Sequence, residues 1–246
     1  MPERTLRVCA LYPDLMNIYA DRGNLTVLAR RCAWRGIGFE LSGVGLGDQI
    51  DPDDHDLFYI GGGQDRDQAL CAEDLATVKR EALHAAAGAD KVILAVCGGY
   101  QLLGHRYELG DEQLAGVGLV DLVTVREEGP RLIGNVAIEV ELPGLSAPRV
   151  LAGFENHGGR TYLGTGERPL GRVLRGHGNT GASGFEGVRR ELVIGTYLHG
   201  PLLPKNAWFA DWLIATATAA PSLRALDDRL EDAAHASARR AAGLAS

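Results

Sequence analysis

Over the first hundred positions, short apolar blocks alternate with segments of helical periodicity. Residues 6–12 (LRVCALY) read as a buried strand. Residues 22–35 set Leu25, Leu28, Ala29, Cys32 and Ala33 at helical spacing, and Gly36 offers a natural stop. A second strand alternates over 37–41 (IGFEL), and a third, 57–63 (LFYIGGG), runs into three glycines. Residues 67–87 predict one helix, closed by Gly88. The continuous aliphatic run 91–96 (KVILAV) suits a central parallel strand covered on both faces. Cys97-Gly98-Gly99 then turns into a short helix over 100–104. Strand–helix–strand alternation of this kind predicts an α/β doubly wound sheet.

Beyond residue 115 the texture changes. Residues 118–125, 131–142, 149–154 and 191–198 read as strands joined by glycine-rich turns, so a second sheet layer or antiparallel extension is expected. Residues 177–187 (HGNTGASGFEG) form a loop by composition. The last core helix is expected over 201–219, with Trp208, Phe209, Trp212 and Leu213 on one face. No repeat or low-complexity linker interrupts the chain. The reading is one domain over 1–220 and a tail over 221–246, rich in Ala, Arg and Asp and helical in character.

Composition narrows the function. The 246 residues suffice for a large single core. A net charge of −7 without a basic stripe argues against a nucleic-acid surface. No apolar run approaches the ~20 residues of a membrane span, and the first residues lack a signal-peptide core. The four cysteines form no CxxC pair, which predicts free thiols and a cytoplasmic protein. The 33 glycines cluster in short runs, as tight functional turns require.

The strongest chemical signal is AVCGGYQLLG, residues 95–104. A cysteine closing a buried strand, followed at once by glycines and a helix, sits on the sharp turn that nucleophile elbows use. The helix N-terminus and a nearby imidazole are expected to stabilise the Cys97 thiolate. Gln101, four residues on, returns to the same face, where it could hydrogen-bond whatever Cys97 attacks. Cys9, Cys32 and Cys71 read as small buried hydrophobes.

A cysteine nucleophile needs a base, and two histidines compete. His199 in GTYLHGPLLPKN ends a strand just before a helix, whereas His157 in GFENHGGRTYLG is flanked by glycines. Spacing alone leaves both open. IGGGQDRDQ (60–68) lacks the GxxxxGK[ST] pattern of a phosphate loop and reads better as an oxyanion site, where glycine N–H groups approach developing charge. Arg131 could clamp a substrate carboxylate or simply be solvated at a strand end. The aspartates between residues 48 and 56 lack the glycine and spacing of a calcium loop and read as an acidic turn.

Taken together, LYPDLMNIYADRGN, IGGGQDRDQAL, VCGGYQLLG, GFENHGGRTYLG and GTYLHGPLLPKN resemble the cobyric-acid-synthase-like branch of the class I glutamine amidotransferases, over residues 6–214. The resemblance implies a Rossmann-like fold with a mostly parallel central sheet, helices on both faces and an additional antiparallel portion. It implies Cys97 as nucleophile, His199 as base, Arg131 as the glutamine-binding residue, and Gly62 with the Gly98 N–H lining the oxyanion hole. Pro201 stands where many relatives carry a glutamate that orients the histidine, which leaves a Cys–His dyad; Ala95 stands where glycine is usual. The resemblance implies no cofactor in this chain. It is strongest to subunits that pass ammonia to a Mur-ligase-like partner, which binds ATP and amidates the D-glutamate α-carboxyl of lipid II, within a heterodimer. Two other readings are a glutaminase serving a corrinoid side-chain carboxylate and a non-catalytic binding protein of the same fold.

Overall fold

The structure, a computed structural model, describes residues 4–18 and 21–245; Tyr19 and Ala20 of the LYPDLMNIYADRGN segment and the last tail residue lie outside the described residues. Its centre is a six-stranded sheet in the order β13-β14-β4-β3-β1-β2. These strands are β1 (Thr5–Leu11), β2 (Gly38–Val44), β3 (Leu57–Ile60), β4 (Val92–Val96), β13 (Val188–Arg190) and β14 (Val193–Thr196). All neighbours run parallel except β13, which pairs antiparallel with β14. All five side chains of β4 are buried, as the unbroken aliphatic run requires of a central strand.

Helix α1 (Arg22–Arg35) has the bounds its periodicity predicts, burying Leu25, Leu28 and Cys32. It stops where Gly36 adopts a left-handed φ of 71°, a conformation costly for any residue with a Cβ. The single helix expected over 67–87 is instead two, α2 (Asp65–Thr77) and α3 (Arg80–Gly88). The break follows from tertiary contacts that periodicity does not register. The fully buried Lys79 ammonium pairs with Asp74, whose carboxylate also accepts the Tyr12 hydroxyl at 2.7 Å and the Gly47 N–H at 2.7 Å. The turn at residues 78–79 delivers Lys79 to that carboxylate.

After β4, the short helix α4 (Gly98–Leu102) leads into two further sheets. One is ordered β10-β7-β5-β6, from β5 (Arg106–Leu109), β6 (Glu112–Ala115), β7 (Leu122–Arg126) and β10 (Gly159–Leu163). The other is ordered β12-β11-β8-β9 and wholly antiparallel, from β8 (Leu132–Val140), β9 (Arg149–His157), β11 (Gly171–Arg175) and β12 (Phe185–Glu186). The expected antiparallel portion is therefore present. Strands β5, β6, β10, β11 and β13 went unread, being short with little alternation, and β12 lies within the stretch 177–187 expected as a loop, since its two residues are too few to carry a pattern.

The helix expected over 201–219 begins later, as α5 (Ala207–Ala217), after a 3-10 turn at Leu203–Lys205. Pro201 and Pro204 resist a longer helix, and the buried Asn206 side chain sets the start. Its Oδ1 accepts from the Ala152 N–H at 2.9 Å, and its Nδ2 donates to the Ala152 and Leu202 carbonyls, each at 2.8 Å. In the C-terminal segment, α6 (Arg229–Ala241) packs against the Leu203–Lys205 turn, β8 and β9.

Candidate active site

The site forms at the carboxyl rim of the central sheet, where parallel α/β sheets gather loop-borne chemistry. Strand β4 ends at Val96, paired with Thr196 of β14, and the Cys97 N–H donates to the Thr196 carbonyl at 2.8 Å. Cys97 takes φ 51° and ψ −106°, a left-handed φ that a side-chain-bearing residue adopts only where its surroundings impose it. This is the strained strand-to-helix corner the sequence foretold. Both following glycines are required by close approach. A methyl on Gly98 would lie 2.9 Å from Gln68 Cδ and the Gly63 nitrogen, and one on Gly99 would meet Ile60 and Gly61 within 2.9 Å.

The electrostatics of Cys97 differ from the expectation of a stabilised thiolate. Burial, with the Asp21 and Asp65 charges adding to it, pushes the thiol up to about 12. The Gly98 N–H hydrogen-bonded to the sulfur and the Arg131 charge act in the opposite sense but do not prevail. Desolvation is the largest of these influences and sets the direction. The other three cysteines are buried free thiols.

His199 follows β14 by three residues and is fully buried. Its backbone is fixed by reciprocal bonds with Phe154 of β9, 2.9 Å from its N–H and 3.1 Å to its carbonyl, and the Phe154 ring meets the imidazole edge-to-face at 5.9 Å. Burial lowers its pKa to about 4, with His157, Lys205 and Arg131 contributing. The ring is thus neutral at physiological pH, the state a base needs. Pro201 packs within reach of Gly23, where a Gly23 methyl would come 2.8 Å from its Cγ.

His157 closes β9 in a different setting. It is buried and stacked on Tyr197, with centroids 3.5 Å apart and planes 4° from parallel; its Nδ1 bonds the Gly159 carbonyl at 2.8 Å. Its Nε2 lies 3.7 Å from a Glu155 carboxylate oxygen. Arg131, one residue before β8, is exposed, and its guanidinium donates to the Asn156 side chain at 2.8 Å and the Asn156 carbonyl at 2.9 Å. Its charge reaches both Cys97 and His199.

Gln101 is buried, with its carboxamide held inside the protein. Gln68 Nε2 donates to its Oε1 at 2.8 Å, and its own Nε2 donates to the Tyr197 hydroxyl at 3.2 Å. Gly62 lies directly against Cys97, since a methyl there would come 3.2 Å from Cys97 Cβ. Its N–H donates to the buried Asp21 carboxylate at 2.7 Å. Sequence reasoning passed over Asp21, Gln68 and Tyr197, although each lies within one of the five segments that carry the family resemblance. Glu186 also went unread. It accepts from the Tyr197 N–H at 2.5 Å and the Thr196 hydroxyl at 2.9 Å, and burial pushes its carboxyl up to about 8.

A parallel sheet whose central strand delivers a strained cysteine beside a triglycine loop, with a neutral histidine from the adjacent strand, defines a cysteine-dependent amidotransferase architecture. Residues 7–207 match the CobB/CobQ-like glutamine amidotransferase domain. The chain belongs to that family and is a glutamine-hydrolysing enzyme. It is 38% identical over 213 residues to the GatD subunit of the glutamine-hydrolysing lipid II isoglutaminyl synthase of Streptococcus pneumoniae R6, covering 86% of this chain and 80% of that one. It is 40% identical over 205 residues to the GatD subunit of Staphylococcus aureus N315, covering 83% and 81%. The cobyric acid synthase of Pelotomaculum thermopropionicum is 39% identical over 126 residues, 44% of this chain but 22% of that protein. Among solved structures, Thermotoga maritima PurLQS overlays with a TM-score of 0.57 at 22% identity, covering 79% of this chain and 87% of the other, which speaks to fold alone.

Proposed function

We propose that this chain is the glutaminase subunit of a lipid II isoglutaminyl synthase, supplying ammonia to a Mur-ligase-like subunit in a cytoplasmic heterodimer. The observation that carries the reading is the identity to two GatD subunits across more than four-fifths of this chain. The cobyric acid synthase match spans less than a quarter of that protein, so no observation favours a corrinoid acceptor. We assign the amidotransferase domain to residues 1–220 and treat 221–246 as its tail.

In the proposed reaction, His199 takes the Cys97 proton as the sulfur attacks the carboxamide carbon of glutamine. A C–S bond forms and the carbonyl electron pair moves onto oxygen, on the side of the triglycine loop and the Gly98 N–H. Collapse of that intermediate breaks the C–N bond, and the proton held by His199 leaves with ammonia. Water, deprotonated by His199, then hydrolyses the thioester and releases glutamate. Because the resting thiol lies high and the imidazole low, proton transfer between them is uphill until glutamine and the partner change the electrostatics. Arg131 binds the α-carboxylate of glutamine, and Gln101 steadies the Cys97 face through Gln68 and Tyr197. ATP and the acceptor carboxylate reside on the partner.

The test is lipid II amidation by the complex carrying Cys97→Ser, with ATP and either glutamine or ammonium chloride. Serine keeps the geometry but has a far higher pKa, so activity with glutamine should vanish and activity with ammonium should persist. Full activity with glutamine removes Cys97 from the mechanism. Failure with both nitrogen sources removes the division of labour between the subunits.

A further inference from the structure

The N-cap of α1 is Asp21, a residue type that ordinarily bonds the first free N–H groups of its own helix. Here it makes no such cap; the Arg22 N–H is taken by Asn17 Oδ1 at 3.0 Å instead. The Asp21 carboxylate is fully buried and turns to the triglycine loop, where its Oδ2 accepts the Gly62 N–H at 2.7 Å. Its second oxygen, Oδ1, has no hydrogen-bond partner among the described residues. A buried carboxylate that forgoes its helix cap and leaves one oxygen unsatisfied is expensive, and its one directed bond goes to the backbone beside the nucleophile.

That bond is one of three that fix the triglycine backbone beside Cys97. The Gly61–Gly62 peptide is held at both ends, its N–H by Asp21 and its carbonyl by the Gly99 N–H at 3.1 Å, and the Gly62 carbonyl of the following peptide accepts the Ile18 N–H at 3.0 Å. In a planar trans peptide the N–H of one residue points opposite to the preceding carbonyl. The Gly63 N–H therefore points away from Ile18. On the other side, the position of a Gly98 Cβ falls 2.9 Å from the Gly63 nitrogen, and the Gly98 N–H rests on the Cys97 sulfur until that sulfur attacks. The Gly62 N–H, spent on Asp21, is not the donor.

We infer that Asp21 is a positioning residue for glutamine hydrolysis: by holding the Gly61–Gly62 peptide against Cys97 it sets the place of the following peptide, whose Gly63 N–H, together with the Gly98 N–H, faces the oxygen that becomes negative when Cys97 attacks. The inference rests on the glutaminase reading above. Glycine at 62 is required for the same arrangement, because a methyl there would strike Ile18 Cγ2 at 2.7 Å. Burial pushes the Asp21 carboxyl up to about 7, and above that pH its charge opposes ionisation of Cys97. The other charged groups acting on that thiol are Asp65 of α2 and Arg131 before β8.

The experiment uses the full-length chain with its ligase partner and compares wild type, Cys97→Ala, Asp21→Ala and Asp21→Asn. Glutamine hydrolysis is read as kcat and KM. Transition-state binding is read with glutamate γ-semialdehyde, whose carbonyl carbon bonds the thiol sulfur while the thiol proton passes to the carbonyl oxygen, placing that oxygen in the same hole. Wild type must hydrolyse glutamine and Cys97→Ala must not; otherwise the glutaminase reading falls, and this inference with it. Asp21→Ala should lower kcat about a hundredfold with KM within about threefold, and should weaken semialdehyde binding by a similar factor. Asp21→Asn, whose carboxamide oxygen can still accept the Gly62 N–H, should recover most of both losses. It should also speed alkylation of Cys97 by iodoacetamide at pH 8 at least about threefold, because the opposing charge is gone. Wild-type kcat in Asp21→Ala, or a kcat loss with unchanged semialdehyde affinity, overturns the inference. If Asp21→Ala does not fold, Asp21→Asn decides: low kcat with unaltered alkylation overturns it.

Discussion

His199 and His157 show how much a side chain's surroundings decide its chemistry. Both are buried histidines from glycine-flanked segments, yet His199 stands beyond the end of a strand adjacent to the one that delivers Cys97, whereas His157 is clamped flat on Tyr197 with Nδ1 engaged by Gly159. Glutamine hydrolysis should fall at least about a thousandfold in His199→Ala, within the span of general acid–base contributions. His157→Ala should keep a measurable fraction of kcat while losing stability through the lost stack; a near-normal rate in His199→Ala sinks the assignment. Arg131 is oriented by Asn156 and its charge reaches Cys97, an arrangement that supports the proposed carboxylate clamp. Loss of one charge-assisted bond, about 1.5 kcal/mol, corresponds to about a tenfold rise in KM for Arg131→Ala. Lysine should restore only part of it, lacking the planar fork. An unchanged kcat/KM rejects the role.

At the scale of elements, the C-terminal segment is tied to α1 and α5 by a set of ion pairs. The guanidinium of Arg31, on α1, is almost wholly buried; it bonds Asp211 of α5 at 2.5 and 2.6 Å and Asp228, the N-cap of α6, at 2.8 and 2.9 Å. Arg35 adds a bond to Asp211 at 2.7 Å and accepts the segment before α6 by donating to the Arg224 carbonyl at 2.8 Å. Removing one member of such a set leaves the other charges partly desolvated and unpaired. Arg31→Met should cost about 3 kcal/mol, since the aspartates keep some solvent. Its Tm should fall, and trypsin should cleave faster at Arg224 and Arg229; unchanged Tm and cleavage would show that the tail is held by other contacts. The same segment reaches the site's flank, because His235 of α6 bonds the Lys205 carbonyl at 2.9 Å and Lys205 lowers the pKa of His199.

For the molecule as a whole, the buried ionisable groups give opposing pH dependences. Glu186 has a folded-state value of about 8 against an ordinary 4.5, because burial disfavours its carboxylate. Between those values the folded chain binds more protons than the unfolded one, so this group's contribution falls as pH rises from about 4.5 to about 8. His199 works in the other direction. Its folded value of about 4 lies below the ordinary 6.5, so its contribution is present above 6.5 and is lost as pH falls towards 4. Glu186→Gln removes the carboxylate charge and keeps an oxygen that can accept the Tyr197 N–H. Its stability, measured by urea unfolding, should exceed that of wild type increasingly from pH 5 to pH 8, by on the order of a few kcal/mol at the upper end. A constant difference across that range would show that Glu186 is already ionised in the fold.

The chain's own pattern determined the strand–helix alternation, the bounds of α1, the burial of β4 and the cysteine elbow. Each follows from local rules: apolar periodicity, a left-handed glycine stop, and the short run of small residues that a tight corner demands. The candidate nucleophile and the two rival histidines were legible for the same reason, since reactive side chains placed at strand ends announce themselves by their neighbours. Tertiary structure alone decided the break between α2 and α3, because the Asp74–Lys79–Tyr12 cluster joins positions up to 67 residues apart in sequence. It also decided the separation of His199 from His157, the elevated rather than lowered Cys97 thiol, and the turning of Asp21 away from its own helix. These depend on desolvation and on partners brought together from distant segments, and no local window of sequence contains the distance or the dielectric that sets them.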